Sequence, residues 1–304
     1  MRVVVALGGN ALLHRGERPD AEPQRLNVLL AVTSLAPLAR EHELVLTHGN
    51  GPQVGVLAME SAADPMLSRP FPLDPLGAET QGLIGYWLAQ GLRNALPDRE
   101  IAALLTQCVV DGDDPAFLHP TKFVGPVYGA TEARRLADER GWTIAPDGAM
   151  WRRVVASPEP QQIVEAEVVR MLTDRGVIVI CAGGGGVPVR RDTDGQLHGV
   201  EAVIDKDLTG ALLAETLHAD ALLLLTDVAG VETDFGRPGS EVIREATTAA
   251  LRARHLPAGS MGPKVEAACR FVERTGGFAA IGALTDAPAL LARTTGTCVV
   301  SART

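Results

Sequence analysis

The chain has 304 residues, 46% of them hydrophobic and 21% charged. This is the composition of a globular protein, and it excludes disorder, collagen and coiled coil. A net charge of −9 offers nothing generic to a nucleic-acid backbone or an anionic membrane, though a small phosphorylated ligand needs only a local positive site.

The first apolar run, Val3–Leu7, reads as a strand and stops at Gly8-Gly9-Asn10. It is too short for a signal-peptide core, and no later run approaches the roughly 18 residues of a membrane helix, so a cytoplasmic location is expected. A helical pattern at Leu26–Arg40 contains Pro37, which is expected to perturb its end. The strand Leu44–Thr47 runs into His48-Gly49-Asn50-Gly51-Pro52. The next helix, Ala78–Leu96, carries Leu83, Ile84, Trp87, Leu88 and Leu92 on one side, and a strand is predicted at Ile101–Val110.

Residues 111–160 break this rhythm. They are rich in turn signals, with a helix predicted at Thr131–Arg140 and a hairpin about Pro146-Asp147-Gly148, and read as a small subdomain protruding from a single domain over 1–304. Beyond them come a helix (Ile163–Thr173), a strand (Val177–Ala182) leading into Gly183-Gly184-Gly185-Gly186, a helix (Leu208–Leu217), a strand (Ala221–Thr226), a helix (Pro263–Glu273) and strands at Phe278–Leu284 and Thr297–Ser301. Strands alternating with helices predict an α/β fold whose mainly parallel sheet is covered on both faces. The four cysteines are far apart without a Cys-x-x-Cys pair, and read as buried free thiols.

Four glycine-rich segments are placed after strands: Gly8-Gly9-Asn10, the run at 48–52, the tetraglycine, and Gly259-Ser260-Met261-Gly262. Loops at the carboxyl ends of parallel strands line the ligand crevice, where glycine lets backbone N–H groups approach a phosphate; plain tight turns are the bland alternative. The sequence has no P-loop, no clean Gly-x-Gly-x-x-Gly and no nucleophile elbow, which disfavours those NTPases, dehydrogenases and hydrolases. No histidine spacing suggests a metal site, and His48 at a strand end reads as structural.

Among 28 basic residues only Lys122, Lys206 and Lys264 are lysines. Composition bias could leave three, but lysine is a compact point charge where arginine is a planar fork. Lys206 and Lys264 both sit at predicted helix starts, where a cation opposes the macrodipole; a shared anion would reconcile the two. Asp207 beside Lys206 reads equally as a helix-start carboxylate or as the group that holds the ammoniums. Glycine cradles with isolated lysines suggest phosphoryl transfer, which asks for positioning and charge neutralisation.

These residues resemble the carbamate kinases of the amino-acid-kinase superfamily. The matching blocks include Val5–Leu12, Thr47–Gly55, Glu79–Tyr86, Pro120–Pro126, Trp151–Val155, Ala182–Val189, Gly199–Asp207 and Gly259–Val265, in family order over nearly the whole chain. The resemblance implies a three-layer αβα sandwich on an eight-stranded, mainly parallel sheet with a protruding subdomain. It also implies reversible transfer of a phosphoryl group between ATP and carbamate, giving ADP and carbamoyl phosphate, often run toward ATP. Arginine, agmatine and purine breakdown could each supply that compound.

Carried over by position, Lys122, Lys206, Asp207 and Lys264 would be catalytic. Gly8, Gly9, Asn10, Gly49, Asn50 and Gly51 would bind the carbamoyl phosphate end. Gly183, Gly184, Gly185, Gly186, Asp205, Asp227, Ser260 and Met261 would border the nucleotide, with Mg²⁺ held mainly through phosphates and no protein metal cage. A homodimer is also implied, and the Ala78–Leu96 helix with Tyr86 and Trp87 is the candidate contact, or simply core. One departure is Glu232, which stands where the family usually has a tyrosine near the nucleotide. The competing readings are another amino-acid kinase, acting on acetylglutamate, aspartate or UMP, and a non-catalytic nucleotide- or carbamoyl-phosphate-binding protein.

Overall fold

A computed structural model describes residues 1–9, 12–13, 17–234, 237, 239–254 and 261–301. In chain order its first elements are β1 (Arg2–Leu7), α1 (Ala21–Glu41), β2 (Glu43–His48), α2 (Gly51–Ala63), α3 (Leu73–Ala95), β3 (Ile101–Ala103) and β4 (Gln107–Val110). The middle of the chain adds β5 (Lys122–Tyr128), α4 (Ala130–Arg140), β6 (Thr143–Asp147), β7 (Met150–Val155), β8 (Pro160–Ile163), α5 (Ala166–Thr173), β9 (Ile178–Ile180), β10 (Val187–Arg191) and β11 (Leu197–Gly199). The last part comprises α6 (Lys206–Thr216), β12 (Ala221–Thr226), β13 (Glu245–Thr247), α7 (Thr248–Arg252), α8 (Met261–Thr275), β14 (Phe278–Ala283), α9 (Ala287–Leu291) and β15 (Thr297–Val300).

An eight-stranded sheet runs in the order β13-β15-β14-β12-β1-β2-β9-β3. Every pairing in it is parallel except β14 with β15. Its central strands read as continuous apolar runs because both faces are covered. The two-residue strand period sorts the side chains. Val3, Val5 and Leu7 join one core with α1, α3 and α9, through residues such as Leu35, Leu88 and Leu290. Val4 and Ala6 join the other with α5, α6, α7 and α8, through Val169, Leu213, Leu251 and Phe271. The result is the helix–sheet–helix sandwich expected from the sequence.

Several segments depart from the sequence reading. The predicted strand at 101–110 is two strands: β3 ends the main sheet, and β4 belongs to a second sheet ordered β11-β10-β4-β8. Gln81 makes the break possible. Its carboxamide donates to Thr106 O and accepts from the Thr106 N–H, both at 3.0 Å, satisfying backbone that has left one sheet before joining the next. The predicted helix at 163–173 is strand β8 followed by the shorter α5. Pro37 does not end α1, which runs on to Glu41. Helix α2 and strands β10 and β11 were not foreseen; α2 begins inside the glycine run at 48–52.

A third sheet, β5-β7-β6, is antiparallel. Its β6–β7 hairpin turns at Gly148, whose φ of +63° is the left-handed conformation a tight hairpin turn requires. The sheet lies against α2 where Gly55 meets Gly125: a Cβ added at Gly55 would sit 2.0 Å from Gly125 Cα.

Candidate active site

The carboxyl ends of β1, β2 and β12 share one edge of the main sheet, and the candidate loops emerge there. The Gly8 N–H donates to Leu225 O at 3.1 Å and the Gly49 N–H to Leu7 O at 2.9 Å, so both turns are pinned to neighbouring strands. Gly49 is pressed against the next parts of the site. A Cβ there would lie 2.8 Å from Gly9 N and 3.2 Å from Lys206 Cδ. The glycines thus serve close approach between the β1 loop, the β2 loop and the start of α6.

Asp207 lies at the centre. Its Oδ2 accepts from Lys206 Nζ at 3.0 Å and from Lys264 Nζ at 2.9 Å, with the carboxylate side chain only 3% exposed. Helices α6 and α8 pack side by side, which brings residues far apart in sequence onto one oxygen. Asp207 Oδ1 is buried and makes no hydrogen bond among the described residues. One carboxylate facing two ammoniums leaves a positive excess at the starts of two helices, where the dipoles add to it.

The electrostatics follow from that crowding. Burial would raise the Asp207 carboxyl, but Lys206 and Lys264 outweigh it and hold it below the usual carboxylate range. Burial disfavours the Lys206 ammonium, yet Asp207 and Asp205 overcome this and hold it above the ordinary lysine value. For Lys264 burial wins: against the pull of Asp207, and helped by the charge of Lys206, it is pushed down to about 8.

Asp205 and Lys122 extend the cluster. Asp205 is the N-cap of α6, its Oδ1 accepting from the N–H groups of Asp207 and Leu208. Its Oδ2 accepts from Lys122 Nζ at 2.5 Å, so the first residue of β5 reaches the start of α6. Burial would raise the Asp205 carboxyl, but Lys122 and then Lys206 hold it far below its ordinary value.

The tetraglycine loop packs against the same region. A Cβ at Gly183 would fall 2.4 Å from the His48 ring, and one at Gly184, where φ is +65°, would fall 2.2 Å from Asn50 Nδ2. Asn50 in turn donates to Thr80 Oγ1 at 2.9 Å. Thr209 Oγ1 donates to Gly185 O at 3.0 Å, tying the loop to α6. His48 is buried, accepts no charge near neutrality because burial drops it to about 4, and has Nδ1 3.1 Å from Gly49 O. That is a structural histidine.

Gly51 opens α2 and Met261 opens α8. Asp227 follows β12, exposed, with the Thr226 hydroxyl donating to its Oδ1 at 3.1 Å. Glu232 accepts from the Ser240 hydroxyl at 2.9 Å. Asn10 and Ser260 lie outside the described residues. Of the fourth glycine segment, Gly259 and Ser260 lie outside the described residues, and Met261 and Gly262 form the first turn of α8. Sequence reasoning missed Thr80, Gln81 and Thr209, polar residues on helices whose partners are backbone and loop atoms; only their polarity in apolar helices marked them.

Comparison with known proteins identifies the family. The model of the amino acid kinase family matches residues 1–281. The chain is 54% identical to a carbamate kinase of Rhizobium meliloti (strain 1021), covering 99% of this chain and 94% of the relative. It is 52% identical to one of Haemophilus influenzae, covering 94% and 92%. Among solved structures, a carbamate kinase from Giardia lamblia bound to AMP-PNP is 39% identical with a TM-score of 0.89, covering 99% of this chain and 98% of that one.

Proposed function

The chain belongs to the amino acid kinase family, as a carbamate kinase, and on that premise we propose how its residues carry Mg²⁺-dependent phosphoryl transfer between ATP and carbamate. The supporting observation is the single Asp207 oxygen that holds Lys206 and Lys264 together, buried, beside Gly9 and Gly49. A phosphoryl group in flight spreads negative charge over its oxygens, and preorganised donors in a dry site stabilise that charge without reorganising. Lys206 and Lys264 supply those donors. Asp207 fixes their direction and offsets part of their mutual repulsion.

The carbamoyl phosphate end binds at the 8–10 and 49–51 turns and the N-terminus of α2, with Lys122 approaching from β5. The nucleotide lies toward Asp227, Met261 and the 183–186 loop. Among the described residues no group of three or more His, Cys, Asp or Glu stands ready to hold a metal, and the carboxylates of Asp205 and Asp207 already face lysines. Mg²⁺ would be held through the nucleotide phosphates, where its charge would relieve their repulsion.

Residues 111–160 act as a subdomain that carries Lys122. The protein works in the cytoplasm: all four cysteines are free and buried, as a reducing compartment permits, and no described helix is long and apolar enough to cross a membrane. It assembles as a homodimer through the helical layer that contains α3. The deciding experiment mixes the protein with carbamoyl phosphate, Mg²⁺ and ADP and reads ATP by a coupled assay. ATP formation supports the reading; folded protein that forms none overturns it.

A further inference from the structure

Asp205 uses its two oxygens on two different parts of the chain. Oδ1 caps α6, accepting from the Asp207 N–H at 2.9 Å and the Leu208 N–H at 3.4 Å. Oδ2 holds Lys122 Nζ at 2.5 Å, and the Asp205 side chain is 10% exposed. A cap alone does not explain a buried charge. Asparagine and serine cap helices about as well as aspartate and escape the desolvation cost. Nor does a nucleotide explain it, since a bare carboxylate repels phosphates. A lysine that must stand at one place does.

The surroundings say which place. Lys122 begins β5, and a Cβ at Gly51 would lie 3.8 Å from Phe123 O, so the residue after Lys122 sits over the N-terminus of α2. Three residues on, Gly125 is pressed against Gly55. Arg153 on β7 meets Glu201 at 3.4 Å, and Glu201 also accepts from the Leu73 N–H at 2.7 Å. The three-stranded sheet is thus braced at its middle and side, while Asp205 secures its Lys122 end.

We propose that Asp205 is a positioning residue for the phosphoryl transfer. Its Oδ2 sets Lys122 over the 49–51 turn, while its Oδ1 sets the N-terminus of α6 that presents Lys206 and Asp207, so one carboxylate fixes the distance between the two lysines. This rests on the reading of Lys122 as a contact to carbamoyl phosphate.

The test is a cycle of Asp205→Asn, Lys122→Ala and the double variant, with KM and kcat measured for carbamoyl phosphate and for MgADP. Asp205→Asn keeps the cap and loses the anion. The KM for carbamoyl phosphate should rise about tenfold or more, the scale of one charge-assisted hydrogen bond, with the KM for MgADP unchanged. The double variant should be no worse than Lys122→Ala, because both changes remove one interaction. Asp205→Ser, a second uncharged cap, should repeat the result should the asparagine variant fold poorly. Wild-type KM in either variant would leave Asp205 a cap only. Multiplying effects would place its action elsewhere than on Lys122. Should Lys122→Ala alone leave KM and kcat unchanged, the contact of Lys122 with carbamoyl phosphate falls first, and the positioning role with it.

Discussion

Lys264 is the buried cation whose charge the site only just maintains, and it sets the pH response. Pushed down to about 8, it is protonated below that pH and loses its charge as the pH rises through it. Lys206, held above the ordinary lysine value, stays charged there. The kcat/KM for carbamoyl phosphate, which reports the free enzyme, should therefore fall as pH rises past about 8. His48, at about 4, contributes no limb near neutrality. A profile that stays flat through the Lys264 range would show that the charge of Lys264 is not needed. At about 4 Å and an effective dielectric of about 20, each ammonium–anion contact is worth about 4 kcal/mol before desolvation. Lys206→Ala and Lys264→Ala should each lower kcat by about 10²–10³, the range for removing one charge-stabilising donor. Rates near wild type in either would refute the role given to that lysine.

The crossing of α2 and β5 decides where Lys122 stands at the scale of elements. At Gly55 an added Cβ would meet Gly125 Cα at 2.0 Å and Gly125 N at 2.1 Å, backbone that no rotamer change can move aside. Gly55→Ala must push β5 off α2. It should cost about 1–3 kcal/mol, as overpacking does, and raise the KM for carbamoyl phosphate as Lys122 is displaced. Gly82→Ala is the control: it lies on an exposed stretch of α3 with nothing within 4 Å, and should add about 0.5–1 kcal/mol. Denaturant midpoints with both KM values check the pair; unchanged stability in Gly55→Ala would mean that the crossing yields. Nothing in the sequence distinguishes Gly55 from Gly82, since a close approach depends on what the fold brings opposite. The central strands were legible because burial on both faces writes them as unbroken apolar runs, and the lysines because so few were present. The break at Leu104–Thr106 was not legible: its cause is the side chain of Gln81, more than twenty positions earlier in the chain.

At the scale of the whole molecule, the outer faces of α6, α7 and α8 differ from those of α1 and α3. Outside α6, α7 and α8, arginines and carboxylates interlock: Arg252 with Glu266 and Glu273, Arg270 with Glu266, Arg274 with Glu215. Outside α1 and α3, leucines and a tyrosine face outward instead, with Leu26 54%, Leu29 57%, Leu30 59% and Tyr86 57% exposed. Trp87, named from the sequence with Tyr86 as a candidate dimer contact, packs half-buried against the core. Lone exposed leucines are ordinary, but three within five residues on one helix, beside a layer that exposes Tyr86, suit burial against a copy of themselves. A two-fold axis places the same patch on both sides of such a contact. Leu29→Glu with Leu30→Glu should convert a two-chain species into single chains in sedimentation equilibrium, because like charges would face each other across the axis. The single chains should keep ATP formation, since Lys122, Lys206, Asp207 and Lys264 are assembled within one chain. A variant that stayed paired would move the interface off this layer. Single chains that folded but lost activity would show that the partner supports the site, through the α3 residues Thr80 and Gln81 that brace Asn50 and Thr106.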